Sequence, residues 1–351
     1  LLPDRNFELN HAVKPWDELT SLEKELFARY QEIFAGMVDN VDQNFKRLRD
    51  ELEQMDEWNN TIIVFTSDNG GSREGQELGT SAYFRTLLAF TGHTDLESTE
   101  LDYSRIDLLG GPRSLAHYPM GWAMTSNTPF RLYKTNTHQG GQQVPLIVHW
   151  QKGLPSDNQL RHQYQHVTDL LPTICELVGI EIPTSKGEEQ LPPAAGNSFA
   201  SSLTNPSADS THSEQYYEMI GHRGMYKDGW SASTIRQPET VFSEEHWELH
   251  DLRNDPTESV DLAEKYPEKV ESMKNLWEET AWENQVFPLD EGNNVKNILR
   301  PPWNEKLVQE MVLYPGTPTV ERWKSQQLIS FRNWSVEVQL DYKKADQGTL
   351  F

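Results

Sequence analysis

The sequence predicts an α/β fold: a mostly parallel central sheet flanked by helices, then a smaller α+β subdomain and the start of a β-rich tail. Three observations carry this. A long amphipathic segment runs directly into an apolar stretch without alternation. A second apolar stretch follows a long polar excursion, and the later part of the chain turns to short strand-like pieces ahead of one more helix. The 351 residues, 36% of them hydrophobic with 11 Trp, 12 Tyr and 13 Phe, can fill substantial cores. The expected divisions are 1–185 for the α/β part, 186–290 for the subdomain and 291–351 for the tail.

The first helix begins at Thr20-Ser-Leu-Glu23, which fits a capping box in which hydroxyl and carboxylate satisfy exposed backbone donors. Leu22, Leu26, Tyr30, Ile33, Phe34, Met37, Val41, Phe45, Leu48 and Leu52 then recur at three- and four-residue intervals. A polar turn, Glu57-Trp-Asn-Asn60, leads into Ile62-Ile-Val-Phe65, a run that reads as a strand covered on both faces. Residues 72–130 are polar and too long for a plain connection, so they read as a functional excursion. Val144-Pro-Leu-Ile-Val-His-Trp150 is a second strand candidate. The stretch from Asp169 predicts a helix with Pro172 in its first turn and Gly179 as its C-cap. Cys175, inside that helix's apolar face, reads as inert core. Residues 183–213 read as a linker or a surface crossing, followed by strands near 216–226, 229–235 and 247–252 and a helix over 261–282. Trp334, Val336, Val338, Leu340 and Tyr342 alternate with polar residues, the pattern of a half-buried strand, and both chain ends read as cuts.

Composition narrows the function classes. With 31 basic and 54 acidic residues the net charge is −23, which argues against a nucleic-acid partner. The single cysteine allows neither an intrachain disulfide nor a cysteine zinc site. No apolar run approaches the roughly 20 residues a membrane span needs. No signal peptide is visible in a chain that does not begin with Met. No P-loop, dinucleotide fingerprint or nucleophile elbow occurs.

The first strand ends in Ser67-Asp-Asn-Gly-Gly71. Ligands bind at the carboxyl ends of strands in open α/β sheets, where loops diverge. Asp68 and Asn69 there offer one anionic and one neutral oxygen, a set that suits a hard divalent cation; an ordinary Asx turn would use the same residues. Lys134 and His138 precede a second glycine pair; Lys134 can serve as a point charge for an oxyanion, although from the residues alone a solvated surface lysine in a loop is the stronger reading. His138 reads equally as a structural residue or as a ligand-binding one.

In combination these segments resemble the downstream half of the sulfatase family, in the alkaline-phosphatase-like superfamily. The matching stretches are NNTIIVFTSDNGG, KTNTHQGGQQVP, HVTDLLPTICELVGIEIP and WELHDLRNDPTESVDLAEKYPEKVESM, in family order. The resemblance implies hydrolysis of aryl or carbohydrate sulfate esters, with phosphonate or phosphodiester hydrolysis, or a non-catalytic fragment, as alternatives. It implies Asp68 and Asn69 as metal ligands, of Ca²⁺ rather than Mg²⁺. Lys134 becomes the catalytic cation on the sulfate group, with His138 a second substrate-binding candidate. A formylglycine nucleophile, made in a Cys/Ser-x-Pro-x-Arg motif, is expected outside these residues; Ser126-Asn-Thr-Pro-Phe-Arg131 has the wrong spacing. A periplasmic or secreted location also follows only from the resemblance. Gln139 and Gln143 stand where the family carries Glu and Arg, a paired change that would remove two charges together.

Overall fold

The computed structural model describes residues 13–83, 99–236 and 241–287, together with 289, 312, 333–339 and 343. The first helix, α1 (Ser21–Gln54), starts as its sequence demands. The Glu23 N–H donates to the Thr20 hydroxyl at 3.2 Å and the Thr20 N–H to the Glu23 carboxylate at 2.7 Å. Strand β1 (Ile63–Thr66) follows, then α2 (Thr99–Tyr103) and α3 (Met120–Ser126) in the excursion, α4 (Gln139–Gln142) and β2 (Leu146–His149). Next come α5 (Leu170–Val178), the hairpin β3 (Ser185–Lys186) and β4 (Glu189–Gln190), and α6 (Ala200–Thr204). Strands β5 (Glu214–Met219), β6 (His222–Lys227), β7 (Trp230–Thr234) and β8 (Glu248–Asp251) then lead to α7 (Pro267–Glu283).

The mixed helix-and-sheet composition is as expected, but three local readings change. First, β1 and β2 pair antiparallel, with Ile63 opposite His149 and Thr66 opposite Leu146. They are not covered on both faces: Phe65, Leu146 and Ile147 remain exposed. Second, α5 has its predicted C-cap, Gly179 in the left-handed region, but Leu171, Ile174 and Val178 are exposed. Cys175 on the same helix is therefore half-buried and not core. Third, residues 183–213 are more than a linker. Phe199 and Ser202 are buried, and the Asn197 N–H donates to Asp169 at 2.8 Å. Asp169 also accepts from His212 at 2.8 and 2.9 Å, which ties the start of α5 to the entry of β5.

In the tail, residues 333–339 form no strand and Trp334, Val336 and Val338 are exposed. Leu340, Tyr342 and most of the 291–351 division lie outside the described residues. Among the described residues no helix is long and apolar enough to cross a membrane.

Two cores organise the molecule. The first joins Leu26, Phe27 and Tyr30 of α1 to Tyr118, Met120 and Ala123 of the excursion and to Leu132 and Tyr133. Its buried Asp102 is satisfied by the Tyr30 hydroxyl and by the Ser81 N–H, both at 2.9 Å, and by the Ser81 hydroxyl at 2.6 Å. The second core packs Met225, Ala232 and Leu249 of the sheet β5-β6-β7-β8 against Met273, Trp277 and Ala281 of α7.

Strand alternation gives this sheet two unlike faces. Met225, Ala232 and Leu249 are cross-strand neighbours on the apolar face. Gly224, Ser233 and Glu248 form the adjoining row, which points the other way. That small, polar face receives residues 131–139. The Thr137 hydroxyl donates to the Arg223 carbonyl at 2.8 Å, and Ser233 donates to the Thr137 carbonyl at 3.2 Å.

Candidate active site

The two glycine pairs singled out in the sequence meet each other. The Gly70 N–H donates to the Gly141 carbonyl at 3.1 Å, and a Cβ on Gly70 would overlap the Gly140 carbonyl. A Cβ on Gly140 would in turn overlap the carbonyls of Arg131 and Leu132. Only glycine permits so close an approach of three backbone segments. One consequence is direct: the Lys134 N–H donates to the Gly71 carbonyl at 3.0 Å, so Lys134 is fixed beside the turn that bears Asp68 and Asn69. Asn127 completes the stitch. Its Oδ1 accepts from the Gly71 N–H at 2.7 Å, and its Nδ2 donates to the Leu132 carbonyl at 2.9 Å.

Asp68 is exposed at the end of β1, and its charge acts on Lys134. Asn69 donates its Nδ2 to the Gly70 carbonyl at 2.8 Å, which leaves Oδ1 unclaimed. An exposed carboxylate and an amide oxygen side by side have the chemistry of a hard-cation site. Among the described residues no group of three or more His, Cys, Asp or Glu side chains could hold a metal.

The Lys134 ammonium bonds Glu74 at 2.5 Å. Burial works to lower the Lys134 pKa, but the Glu74 bond together with the charges of Glu74 and Asp68 and the influence of Tyr83 outweighs it, and the net shift is upward. Lys134 is thus held as a cation. Glu74 is pushed down to about 2, first by a bond to His117 and then, against its own burial, by Lys134. His117 itself lies with Nδ1 2.9 Å from the Tyr118 carbonyl, so that nitrogen carries a proton. Its Nε2 faces the Ser72 hydroxyl at 2.9 Å and the Glu74 carboxylate at 3.7 Å.

The structure therefore brings together Asp68, Asn69 and Lys134 and adds Ser72, Glu74, His117 and Asn127, which sequence reasoning missed. The missed residues lie in the irregular excursion, where no periodicity marks a position; only Asn127-Thr-Pro, just upstream of the lysine, stood inside a quoted stretch. His138 goes elsewhere. It is completely buried, and its Nε2–H donates to Glu248 at 3.1 Å on the polar face of the sheet. It does not reach the Asp68–Lys134 face, so the substrate-binding expectation for it is corrected. The reason is its place as N-cap of α4, pointed into the seam between the two cores.

Gln139 and Gln143 are not bonded through their side chains; the Gln143 N–H donates to the Gln139 carbonyl at 2.7 Å. Gln139 is buried and gives its N–H to the Glu258 carboxylate at 2.8 Å.

Asp68 and Asn69 at a strand end thus lie beside the lysine returned by a glycine-paired arm. Comparison with known proteins supplies the class. Residues 14–180 match the family model described as Sulfatase, and residues 131–285 match N-sulphoglucosamine sulphohydrolase, C-terminal. An uncharacterized sulfatase of Schizosaccharomyces pombe is 30% identical over 268 residues, 76% of this chain and 46% of that protein. An N-acetylglucosamine-6-O-sulfatase of Bacteroides thetaiotaomicron is 22% identical over 272 residues, 77% of this chain and 38% of that protein. The crystal structure of Ps i-CgsB, 21% identical, aligns over 84% of this chain and 55% of its own with a TM-score of 0.48. The chain belongs to the sulfatase family of the alkaline-phosphatase-like superfamily. It spans less than half the length of these curated relatives.

Proposed function

We propose that this chain forms the downstream part of a sulfuric ester hydrolase that cleaves aryl or carbohydrate sulfate esters. The observation that carries the reading is the Lys134 N–H bond to the Gly71 carbonyl, which sets a permanent cation beside the Asp68–Asn69 turn. Asp68 and Asn69 would hold a divalent cation, Ca²⁺ in this reading. When bound, such an ion supplies Lewis-acid polarisation of the sulfate oxygens.

The chain's own residues then divide the work. Lys134 binds a sulfate oxygen and stabilises charge that builds on the transferring or leaving oxygens. Glu74 keeps that ammonium protonated and aimed at the open face. Ser72 and His117 form a hydrogen-bonded pair next to it, with the exchangeable proton shared between the Ser72 oxygen and His117 Nε2. The attacking group in this reading is formylglycine supplied from outside these residues, since no Cys/Ser-x-Pro-x-Arg motif occurs in them. The division at about residue 185 and export from the cytoplasm belong to the same reading.

The test is Lys134→Ala in the protein expressed from its full reading frame, assayed on matched nitrophenyl sulfate and phosphodiester substrates. The sulfatase reading expects sulfate-ester turnover to fall on the order of 10²-fold or more, with the melting transition unchanged. Unaltered kcat/KM on the sulfate would sink it. Higher turnover of the phosphodiester in the parent protein would reassign the substrate class.

A further inference from the structure

The arm that carries Lys134 stands on a single carboxylate of the other core. Arg131 at its start and His138 near its end both bond Glu248 of β8. Arg131 approaches as a two-pronged fork, Nη2 to Oε1 at 3.1 Å and Nη1 to Oε2, while His138 Nε2 reaches Oε2 at 3.1 Å. A third donor, His250 Nε2, meets the same Oε2 at 3.2 Å. The other His250 nitrogen is 2.9 Å from the Val260 carbonyl, so both ring nitrogens face acceptors and both carry protons. The His250 pKa is accordingly raised, the Glu248 and Glu258 charges overcoming burial.

On the other side the arm is held by the first core, where Leu132 and Tyr133 are buried, the Lys134 N–H bonds the Gly71 carbonyl and Asn127 bonds the Leu132 carbonyl. The arm is irregular between Arg131 and α4, and Leu132 and Thr135 both sit at positive φ, 65° and 82°. Such backbone persists only where surrounding contacts over-determine it. The arm's contacts with the second core and the segment that follows it are those with Glu248, the Thr137 and Ser233 bonds to the sheet, and the Glu258 bond to the Gln139 N–H.

We propose that Glu248 is the positioning residue for Lys134, acting from the second core by clamping both feet of the arm at once. The claim rests on the reading of Lys134 as the sulfate-binding cation for its functional consequence, and on the geometry alone for its structural one. A polar sheet face built of Gly224, Ser233 and Glu248 then has a purpose: it is the seat of the arm. Glu248 does not touch the Asp68–Lys134 face itself. It sets where the ammonium stands, and misplacement by about 1 Å at a reacting centre costs on the order of 10²-fold.

Two measurements on Glu248→Gln test this, with Met273→Ala as the control for simple loss of stability. Met273 lies on α7, buried in the apolar core on the other face of the sheet from the arm. The first measurement follows the Lys134 ammonium by NMR after ¹³C reductive methylation, with its signal assigned by its absence in Lys134→Arg. In Glu248→Gln the Lys134 titration should move down toward the ordinary lysine value as the Glu74 bond loosens, and in Met273→Ala it should stay. The second is a double-mutant cycle in the protein expressed from its full reading frame. Glu248→Gln should lower sulfate-ester kcat/KM roughly tenfold to 10²-fold, and should add little once Lys134 is already Ala.

An unmoved Lys134 titration in a folded Glu248→Gln protein overturns the proposal, as do fully additive losses. If Lys134→Ala leaves turnover untouched while Glu248→Gln still moves the Lys134 titration, the positioning role stands and the sulfatase reading falls.

Discussion

The two cores are finished to different degrees. The sheet β5-β6-β7-β8 closes its apolar face with α7: Trp277 is 1% exposed, and its indole N–H donates to the Tyr217 carbonyl at 2.9 Å. Its polar face is closed by the arm. In the α/β part, the start of α1 and the excursion bury one another, but the sheet side is open. Ile147 is 57% exposed, Val41 on α1 is 53% exposed and Leu171 on α5 is 57% exposed. Side chains in an aligned apolar run normally find cover. The contrast teaches that local sequence pattern and local burial are separate facts. The C-terminal part is stabilised by its own elements, while the apolar faces of β1, β2 and α5 draw little stability from the residues described.

That difference is measurable. Trp277→Ala should cost about 3–5 kcal/mol, the usual range for removing a large buried aromatic, and it also strands the Tyr217 carbonyl. Ile147→Ala in the same 351-residue chain should stay within about 0.5 kcal/mol, as for exposed positions. Urea midpoints at constant m-value read both. A comparable cost at the two positions would show that the strand pair is covered after all, and the contrast between the cores would fail.

Sequence reasoning reached the elements whose signals are local. The capping box at Thr20, the C-cap at Gly179 and the alternation in Trp247-Glu-Leu-His-Asp251 each state their own geometry. It singled out Asp68 and Asn69 as a strand end, and Lys134 through the family resemblance; the glycine-paired backbones bring the three near one another. The antiparallel direction of β2 against β1 was not legible, because it is set by a return path through the excursion that no periodicity encodes. His138 was ambiguous for a related reason. A histidine bonded to a carboxylate at position 248 looks like any other histidine until the chain has folded. Glu74 and His117 were invisible on the same ground, since their partners lie in separate irregular stretches.

The seam between the two cores gives a second test, centred on Gln139. Its N–H already serves the buried Glu258, whose Oε1 has no partner among the described residues. Gln139→Glu would place another carboxylate in that seam. A cost of about 2 kcal/mol near neutral pH is expected, within the range for a buried polar group left unsatisfied. It should shrink on acidification, because protonating the new carboxyl removes its charge. Gln143→Arg alone should matter less, since Gln143 is exposed. If the double variant regains stability, the two positions can pair as ions; a Gln139→Glu protein as stable as the parent would show that the seam is less tight than its burial indicates.

The smallest effect is expected on the open face, at Glu74. Its folded-state pKa of about 2 lies below the ordinary 4.5. A depressed carboxylate contributes stability that is fully present above its unfolded pKa and is lost as pH falls through the folded value. The loss should therefore develop between about 4.5 and 2. Because Glu74 and Lys134 are each about a third exposed, solvent screening limits the pair to at most about 1 kcal/mol. Glu74→Gln should accordingly lower the urea midpoint slightly at pH 7, and the gap to the parent should close by pH ~2. A gap that persists unchanged at the acid end would mean that Glu74 acts through packing and not through charge. The open face would then be held by the same kind of contact as the seam, and the electrostatic distinction between Glu74 and the partly buried Glu248 would disappear.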